Sequence, residues 1–376
     1  MRQNNETIIQ YVQNYGDQNF WSLPFSDVDS LVFATLCYTN LELTPFAKIG
    51  NFNCTIRELG ELADLKQLTW PMWSRKRGEQ LMTAAAKSHR YGEIMAHHYR
   101  HHLDSDAEKQ FTAITFTINT DMGYVDVVTF QGTDDTLVGW KEDLNMTFAR
   151  HLPSQLEAVS YLEEIAASSD NKLILTGHSK GGNLAVYAVH KVNRQIKDRI
   201  IDIYDHDGPG FLPRTFTTLD KIGVAGKVHK IVPASSFFGL LLDSHPSSYK
   251  VVKSDSRYIL QHDGLSWLVD GDHFATLPSV TMVSKYTART IRRWLISVDP
   301  EQRKQCVDAI FAIFAQSHSA TSQGFKHYLA TNLKSILMSV KNSDPLVRKV
   351  ITDTFKLLAK SSWDEAKATV KNKVHR

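Results

Sequence analysis

Residues 173–184 read LILTGHSKGGNL, and this stretch decides the fold class. The apolar run 172–176 has the length of a strand and ends at Gly177. Over 183–192 the apolar residues instead recur at helical spacing. The pattern G-x-S-x-G, which ends at Gly181, therefore lies between a predicted strand and a predicted helix. That is the sequence context of a nucleophile elbow.

Ser179 lies at the centre of this pattern and is the candidate nucleophile. A serine at the apex of a sharp turn has a strained backbone, so its neighbours Gly177 and Gly181 must lack a bulky Cβ. The same turn leaves the amide of Lys180 at the start of a helix, where it can stabilise an oxyanion. The alternative interpretation is a chance match in an ordinary turn, because only three positions are fixed.

Composition restricts the class of protein. The chain has 376 residues, 42% hydrophobic residues and a net charge of +3, which suits a globular protein and does not favour nucleic-acid binding. Cys37, Cys54 and Cys306 cannot all pair, and we interpret them as reduced residues of a cytoplasmic protein. The polar N-terminus lacks the apolar segment of a signal peptide, and no apolar run is long enough to span a membrane.

Three regions are distinguished along the chain. Residues 1–110 are predicted to be mostly helical, including one long helical pattern over 78–102. Strands begin near residue 111 with a hairpin, and strands and helices then alternate to about residue 270, with one helix over 153–169, in a core domain that spans 111–285. This alternation predicts an α/β domain with a mostly parallel sheet covered by helices. Residues 286–376 form a C-terminal helical extension, either a cover for the site or an oligomer contact.

A serine nucleophile requires a base, which on this class of fold follows the acid in the chain. His262 follows the last strand-like segment and is the preferred base. His245 and His273 are the alternatives, whereas His206 comes too early and His229 lies inside a strand pattern.

The acid that would orient this base is less sharply defined. Asp243 follows the strand before the histidine loop and is preferred. Asp207, in DHDGPG, follows the strand after the elbow helix and remains the alternative acid. Asp263 adjoins His262 and is expected to be solvated.

The second oxyanion donor is expected in a loop after an early strand. The stretch 125–146, VDVVTFQGTDDTLVGWKEDLNM, ends a strand at Phe130 and turns through Gly132 and Thr133. Thr133 offers both an amide and a hydroxyl, so that Thr133 and the Lys180 amide are the predicted oxyanion hole. The alternative is an ordinary surface turn.

Two further features each allow a functional and a plainer interpretation. His97 with His101, and His98 with His102, lie four apart on the predicted helix, a spacing that can bind a metal. No cysteine or carboxylate completes a site, so a solvated face is preferred and neither metal nor organic cofactor is predicted. The bulky apolar residues 70–73, WPMW, precede a basic cluster, 75–77, which suits either ordinary packing or a peripheral membrane contact.

Taken together, FQGTDDTLVGWKEDLNM and TGHSKGGNLAVYA resemble the F-R-G-T and G-H-S-L-G-G motifs of class 3 lipases. They resemble more closely a bacterial lipase-like family of unknown function, which is also similar to LPFSDVDSLVFATLCY, LMTAAAKSHRYGEI, DHDGPGF and QHDGLSW of this chain. The resemblance covers roughly residues 18–315. Gln131 and Lys180 depart from the Arg and Leu of class 3 lipases, and PASSFFG replaces their D-x-V-P turn.

This resemblance implies an α/β-hydrolase fold with Ser179 as nucleophile and with Thr133 and the Lys180 amide as oxyanion donors. The sequence then predicts a cytoplasmic serine hydrolase that acts on a small-molecule or lipid ester through an acyl-enzyme. Two alternatives stay open, a non-catalytic module that binds an acyl ligand or a protein, and a thioesterase on the same scaffold. The oligomeric state is not predicted.

Overall fold

The computed structural model describes residues 6–44, 53–62, 75–134, 136–213, 215–224, 226–242, 248–297 and 299–316. Asp243, His245, the apolar residues 70–73 and the helical patterns beyond residue 316 lie outside these ranges.

A nine-stranded mixed sheet forms the centre of the molecule, in the order β1-β2-β3-β4-β5-β6-β7-β8-β11. The four pairings from β4 to β8 are parallel, and the pairings at both ends are antiparallel. β9 and β10 form a separate hairpin. The strands are β1 (Asn53–Thr55), β2 (Met95–Asp104), β3 (Lys109–Thr120), β4 (Gly123–Phe130), β5 (Lys172–His178), β6 (Ile200–His206), β7 (Val228–Pro233), β8 (Lys250–Val252), β9 (Val269–Asp270), β10 (His273–Phe274) and β11 (Thr276–Leu277).

Helices cover both faces of this sheet. They are α1 (Ile8–Tyr15), α2 (Asp27–Leu36), α3 (Ile56–Glu61), α4 (Arg75–Lys87), α5 (Leu137–Asn145), α6 (Pro153–Ser168), α7 (Lys180–Lys191), α8 (Arg194–Arg199), α9 (Thr218–Lys221), α10 (Met282–Ser297) and α11 (Pro300–Gln316). One apolar core joins the sheet to α1, α2 and α4, and a second joins it to α6 and α7. This is the three-layer α/β arrangement of the α/β-hydrolase fold.

The parallel strands place the candidate site. Gly177 pairs with Phe130 of β4, and His178 pairs with His206 of β6. Residues that directly follow these strand ends therefore meet at one edge of the sheet. In open α/β sheets this carboxyl edge is where ligands bind.

The sequence predicts the central elements correctly. The predicted helix over 153–169 is α6, and the predicted hairpin after residue 111 is the antiparallel pair of β3 and β4. The expectation of helix throughout 78–102 is wrong, because α4 ends at Lys87 and β2 begins at Met95. The expectation that strands begin near residue 111 is wrong for the same reason, since β1 and β2 precede it and pair into the main sheet.

A bulge explains why the histidine-rich strand looked helical. His98 has a φ of 54°, and the register of β2 on β3 shifts between His97 and Arg100. An extra residue in a strand breaks its period-two alternation of side chains. The spacing of four between the histidines therefore arises on a bulged strand and does not mark one face of a helix. His97 instead faces Thr117 at 2.7 Å, and His101 faces Thr112 at 2.8 Å.

Candidate active site

Ser179 occupies a tight turn between β5 and α7. Its φ of 57° and ψ of −130° lie in a region that residues with a Cβ seldom adopt. Such strain persists only where the surrounding structure enforces it, and it is frequent at active sites. The Ser179 amide donates to the carbonyl of His206 at 2.9 Å, which fixes the turn against the neighbouring strand. Ser179 is partly exposed, and Lys180 is the first residue of the helix.

The glycines of the motif are required by close packing of the elbow. A Cβ at Gly177 would lie 2.2 Å from the carbonyl carbon of Gly181. A Cβ at Gly181 would lie 2.1 Å from the carbonyl oxygen of Phe130. Both distances are far below van der Waals contact. The helix therefore approaches the strand ends closely enough only because these positions lack side chains.

A buried carboxylate and a buried imidazole form a pair beside this elbow. Oδ2 of Asp207 lies 2.6 Å from Nδ1 of His262. Asp207 directly follows β6, one residue after the strand end that pairs with His178, and its own φ is 55°. His262 ends a short 3₁₀ helix, Tyr258–His262. Because a carboxylate only accepts hydrogen bonds, Nδ1 of His262 carries the proton and Nε2 is left as the basic nitrogen.

The second carboxylate oxygen of Asp207, Oδ1, also accepts hydrogen bonds. Oδ1 accepts a hydrogen bond from the Ser236 hydroxyl at 2.5 Å and one from the Gly239 amide at 3.2 Å. These donors come from the segment that follows β7, SSFFGLLL. Two hydrogen bonds to one carboxylate oxygen fix the orientation of the group. The carboxylate is therefore oriented from both sides.

The structure favours the alternative acid of the sequence analysis. Of the two candidates, Asp207 reaches His262, and Asp243 lies outside the described residues. The sequence did carry a signal for Asp207, because Asp followed by Gly is typical of a turn with positive φ. Asp263 is buried rather than solvated, and its carboxylate accepts the Leu265 amide at 3.0 Å. Burial raises the pKa of Asp263 to about 6.

Two rings lie against the imidazole of His262. The ring of Phe238 has its centroid 4.4 Å away, and the ring of His178 has its centroid 4.7 Å away. Since His178 directly precedes Ser179 in the chain, this contact places the His262 ring beside the strand end that carries the serine.

The described residues form no hydrogen bond with Ser179 Oγ or with His262 Nε2. Hydrogen bonds between a nucleophile and its base are often long before substrate binds.

The loop after β4 approaches the elbow from the other side. A Cβ at Gly132 would lie 3.0 Å from the Cβ of Ser179, so the backbone of this loop passes directly beside the serine. The Thr133 hydroxyl donates to Oδ2 of Asp143 at 2.5 Å. Burial raises the pKa of Asp143 to about 6, while the nearby Lys180 ammonium opposes the increase. The hydroxyl of Thr133 is thus engaged in holding the loop, which leaves its amide as the candidate oxyanion donor.

Lys180 contributes a buried side chain that sequence reasoning missed. Its ammonium bonds Oε2 of Glu142 at 2.9 Å, and both side chains are fully buried. It also donates to the backbone carbonyl and the side-chain oxygen of Gln110. A charge this deep requires a paired charge. The ion pair joins the first residue of α7 to α5, which follows the loop after β4.

The other candidate histidines have different surroundings. His206 is buried against Ser30, and burial lowers its pKa to about 3. His229 and His273 are exposed and pair with neighbouring aspartates. In the part of the chain that the structure describes, no group of three histidine, cysteine or acidic side chains is arranged to hold a metal ion. Over the same ranges, no helix has the length and apolar content needed to cross a membrane.

Comparison with known proteins places the chain in a family. The model of the Mbeg1-like family matches residues 85–312, more than half of the chain, and the chain belongs to that family. This supports the lipase-like resemblance of the two motifs. The chain matches no curated protein. A crystal structure of M37 lipase is similar over 57% of this chain and 70% of that chain, with 13% identity and a TM-score of 0.34.

Proposed function

We propose that this member of the Mbeg1-like family is a serine hydrolase that cleaves a carboxylic ester through an acyl-enzyme on Ser179. In this proposal His262 is the general base, Asp207 orients it, and the amides of Thr133 and Lys180 stabilise the oxyanion. The setting that we propose is the cytoplasm, and the substrate is a small-molecule or lipid ester.

The proposed reaction has two halves. Nε2 of His262 takes the proton of Ser179 as Oγ attacks the ester carbonyl, and the negative charge moves to the carbonyl oxygen. The imidazolium then protonates the departing alcohol, which leaves an acyl group on Ser179. Water attacks this acyl-serine with His262 again as the base, which releases the carboxylic acid and restores the serine. Asp207 stabilises the imidazolium in both halves without itself being protonated.

The hydrogen bond between Asp207 and His262 is the observation that carries this proposal. A module that only binds a ligand has no need of a buried carboxylate that fixes the tautomer of a histidine beside a strained serine. The backbone of Ser179 supports the same conclusion, because its combination of φ 57° and ψ −130° is strained, and such strain is frequent at active sites.

The surroundings of His262 favour a substrate with an apolar group. Phe238 lies against the imidazole and belongs to an apolar segment that also supplies two donors to Asp207. A partly buried apolar side chain beside the base suits an acyl chain better than a charged group or a sugar. Ester and thioester differ in the leaving group, which is selected by the shape of the site rather than by the catalytic residues.

A panel of p-nitrophenyl esters and matched thioesters of increasing acyl length tests this proposal. We expect turnover that rises with chain length and is abolished in Ser179→Ala. Ser235→Ala is the matched control, because Ser235 lies on the loop after β7 and its amide bonds the side chain of Gln261 rather than the proposed triad. Turnover that survives in Ser179→Ala would contradict the proposal, and no turnover with tight binding of a fatty acid would favour the binding module.

A further inference from the structure

His178 makes the contact that connects the nucleophile with the base. Its side chain is buried, and Nε2 lies 2.6 Å from the backbone carbonyl oxygen of His262. A carbonyl oxygen only accepts, so Nε2 of His178 must carry a hydrogen and donate it. Because His178 and Ser179 are consecutive, this bond ties the backbone of the proposed base to the strand end that carries the proposed nucleophile.

Tyr38 fixes the tautomer that this contact requires. In a neutral imidazole with a hydrogen on Nε2, Nδ1 is an acceptor. The Tyr38 hydroxyl lies 3.2 Å from this Nδ1 and 3.5 Å from the carbonyl oxygen of His178, so the ring nitrogen is the nearer acceptor of its proton. Burial holds the pKa of His178 well below its ordinary value, so the ring stays neutral with one donor and one acceptor. Burial also keeps the pKa of Tyr38 well above its ordinary value, so the hydroxyl keeps its proton.

Tyr38 also contacts the proposed oxyanion loop, the segment after β4 that carries Gly132 and Thr133. A Cβ at Gly132 would lie 2.1 Å from the Tyr38 hydroxyl oxygen and 2.5 Å from the carbonyl oxygen of His178. The backbone of this loop therefore rests directly on the Tyr38–His178 pair. Tyr38 follows α2 and precedes the residues that the family model matches, 85–312. The buried Tyr38–His178 pair thus contacts the loop after β4, the end of β5 that precedes Ser179, and the backbone of His262.

From these contacts we propose that His178 is a positioning residue, held as its Nε2-protonated tautomer by Tyr38, that sets the distance between His262 and Ser179. This inference rests on the proposed function, because it assigns a role within that site. Asp207 fixes one nitrogen of His262, but it does not fix the position of the loop backbone. The bond from His178 supplies that second constraint. A displacement of about 1 Å in a catalytic site can lower the rate about 100-fold.

A matched pair of substitutions at His178 separates positioning from packing. In His178→Gln the side-chain amide can still donate close to the position of Nε2, whereas His178→Met has similar bulk and no donor. We expect His178→Met to lower kcat about 10- to 100-fold with little change in KM. His178→Gln should recover most of that loss. Tyr38→Phe should give an intermediate loss, because the imidazole keeps its donor and loses the group that fixes its tautomer.

The measurements are kcat and KM on the best ester, the rate of labelling by a fluorophosphonate probe, and the circular dichroism of each variant. ¹⁵N NMR of the histidine rings provides an independent readout, and a neutral, Nε2-protonated His178 is expected in the wild-type protein at neutral pH. Equal kcat values for His178→Met and wild type, or for His178→Met and His178→Gln, would overturn the inference, as would a His178 ring protonated on Nδ1. Absence of Ser179-dependent labelling in wild type would instead overturn the proposed function.

Discussion

Replacing Asp207 with asparagine tests the proposed triad most sharply, because the structure fixes how the new amide must lie. Ser236 and Gly239 both donate to the Oδ1 position, so the oxygen of the introduced amide is expected there. The amide nitrogen then faces Nδ1 of His262 and donates to it. Nδ1 becomes an acceptor, and the ring proton moves to Nε2. A histidine protonated on Nε2 cannot take the proton of Ser179.

We therefore expect Asp207→Asn to lower kcat about 10⁴-fold, as wrong-tautomer substitutions do in other triads. This corresponds to about 5.4 kcal/mol of lost transition-state stabilisation. Steady-state turnover of the best ester measures it, with thermal unfolding to confirm that the variant is folded.

Two further variants make this prediction specific. Ser236→Ala in the Asp207→Asn background removes the shorter of the two bonds that orient the amide, so kcat should rise above that of the single variant. Asp243→Asn, which changes the acid that sequence order favours, should retain wild-type kcat. The reasoning would be refuted if Asp207→Asn stayed within about tenfold of wild type, or if Asp243→Asn lost activity to the same extent.

The remaining predictions concern the supports of the site. Lys180→Met should lower the free energy of unfolding in urea by about 3–5 kcal/mol, because it leaves the charge of Glu142 buried and unpaired. Adding Glu142→Gln should recover part of this loss. A loss below about 1 kcal/mol would contradict the buried pair. The raised pKa of Asp143 means that the folded state binds its proton more tightly than the unfolded state, so this group stabilises less as pH rises from about 4 to 6. Asp143→Asn should therefore gain stability relative to wild type by roughly 2 kcal/mol between about pH 4 and pH 7, and the opposite slope would contradict this. Gly181→Ala should lower kcat about 100-fold, since its Cβ forces the elbow away from Phe130, and unchanged turnover would refute the close packing.

The elements nearest the elbow were the most predictable from sequence. An apolar strand, two glycines around a serine and a helical pattern are local signals, and the structure has β5 and α7 there with Ser179 strained between them. His262 was chosen because chain order restricts a base to the later loops. The structure pairs this histidine with the buried Asp207, and its role as the base stays a prediction.

Features that depend on contacts distant in sequence could not be predicted in the same way. The choice of Asp207 over Asp243 depends on which carboxylate reaches Nδ1 of His262, a distance that chain order does not determine. Likewise, the identity of residue 180 as a lysine does not show that its side chain is buried against Glu142. The bulge at His98 misled the helical prediction because one extra residue changes the period of the side chains.

The central claim is that Ser179 is an activated nucleophile, and labelling with a fluorophosphonate probe followed by peptide mapping tests it most directly. We predict one phosphonylated site on the peptide that contains Ser179, lost in Ser179→Ala and retained in Ser235→Ala. No labelling of the folded wild-type protein, or labelling that persists in Ser179→Ala, would contradict the account.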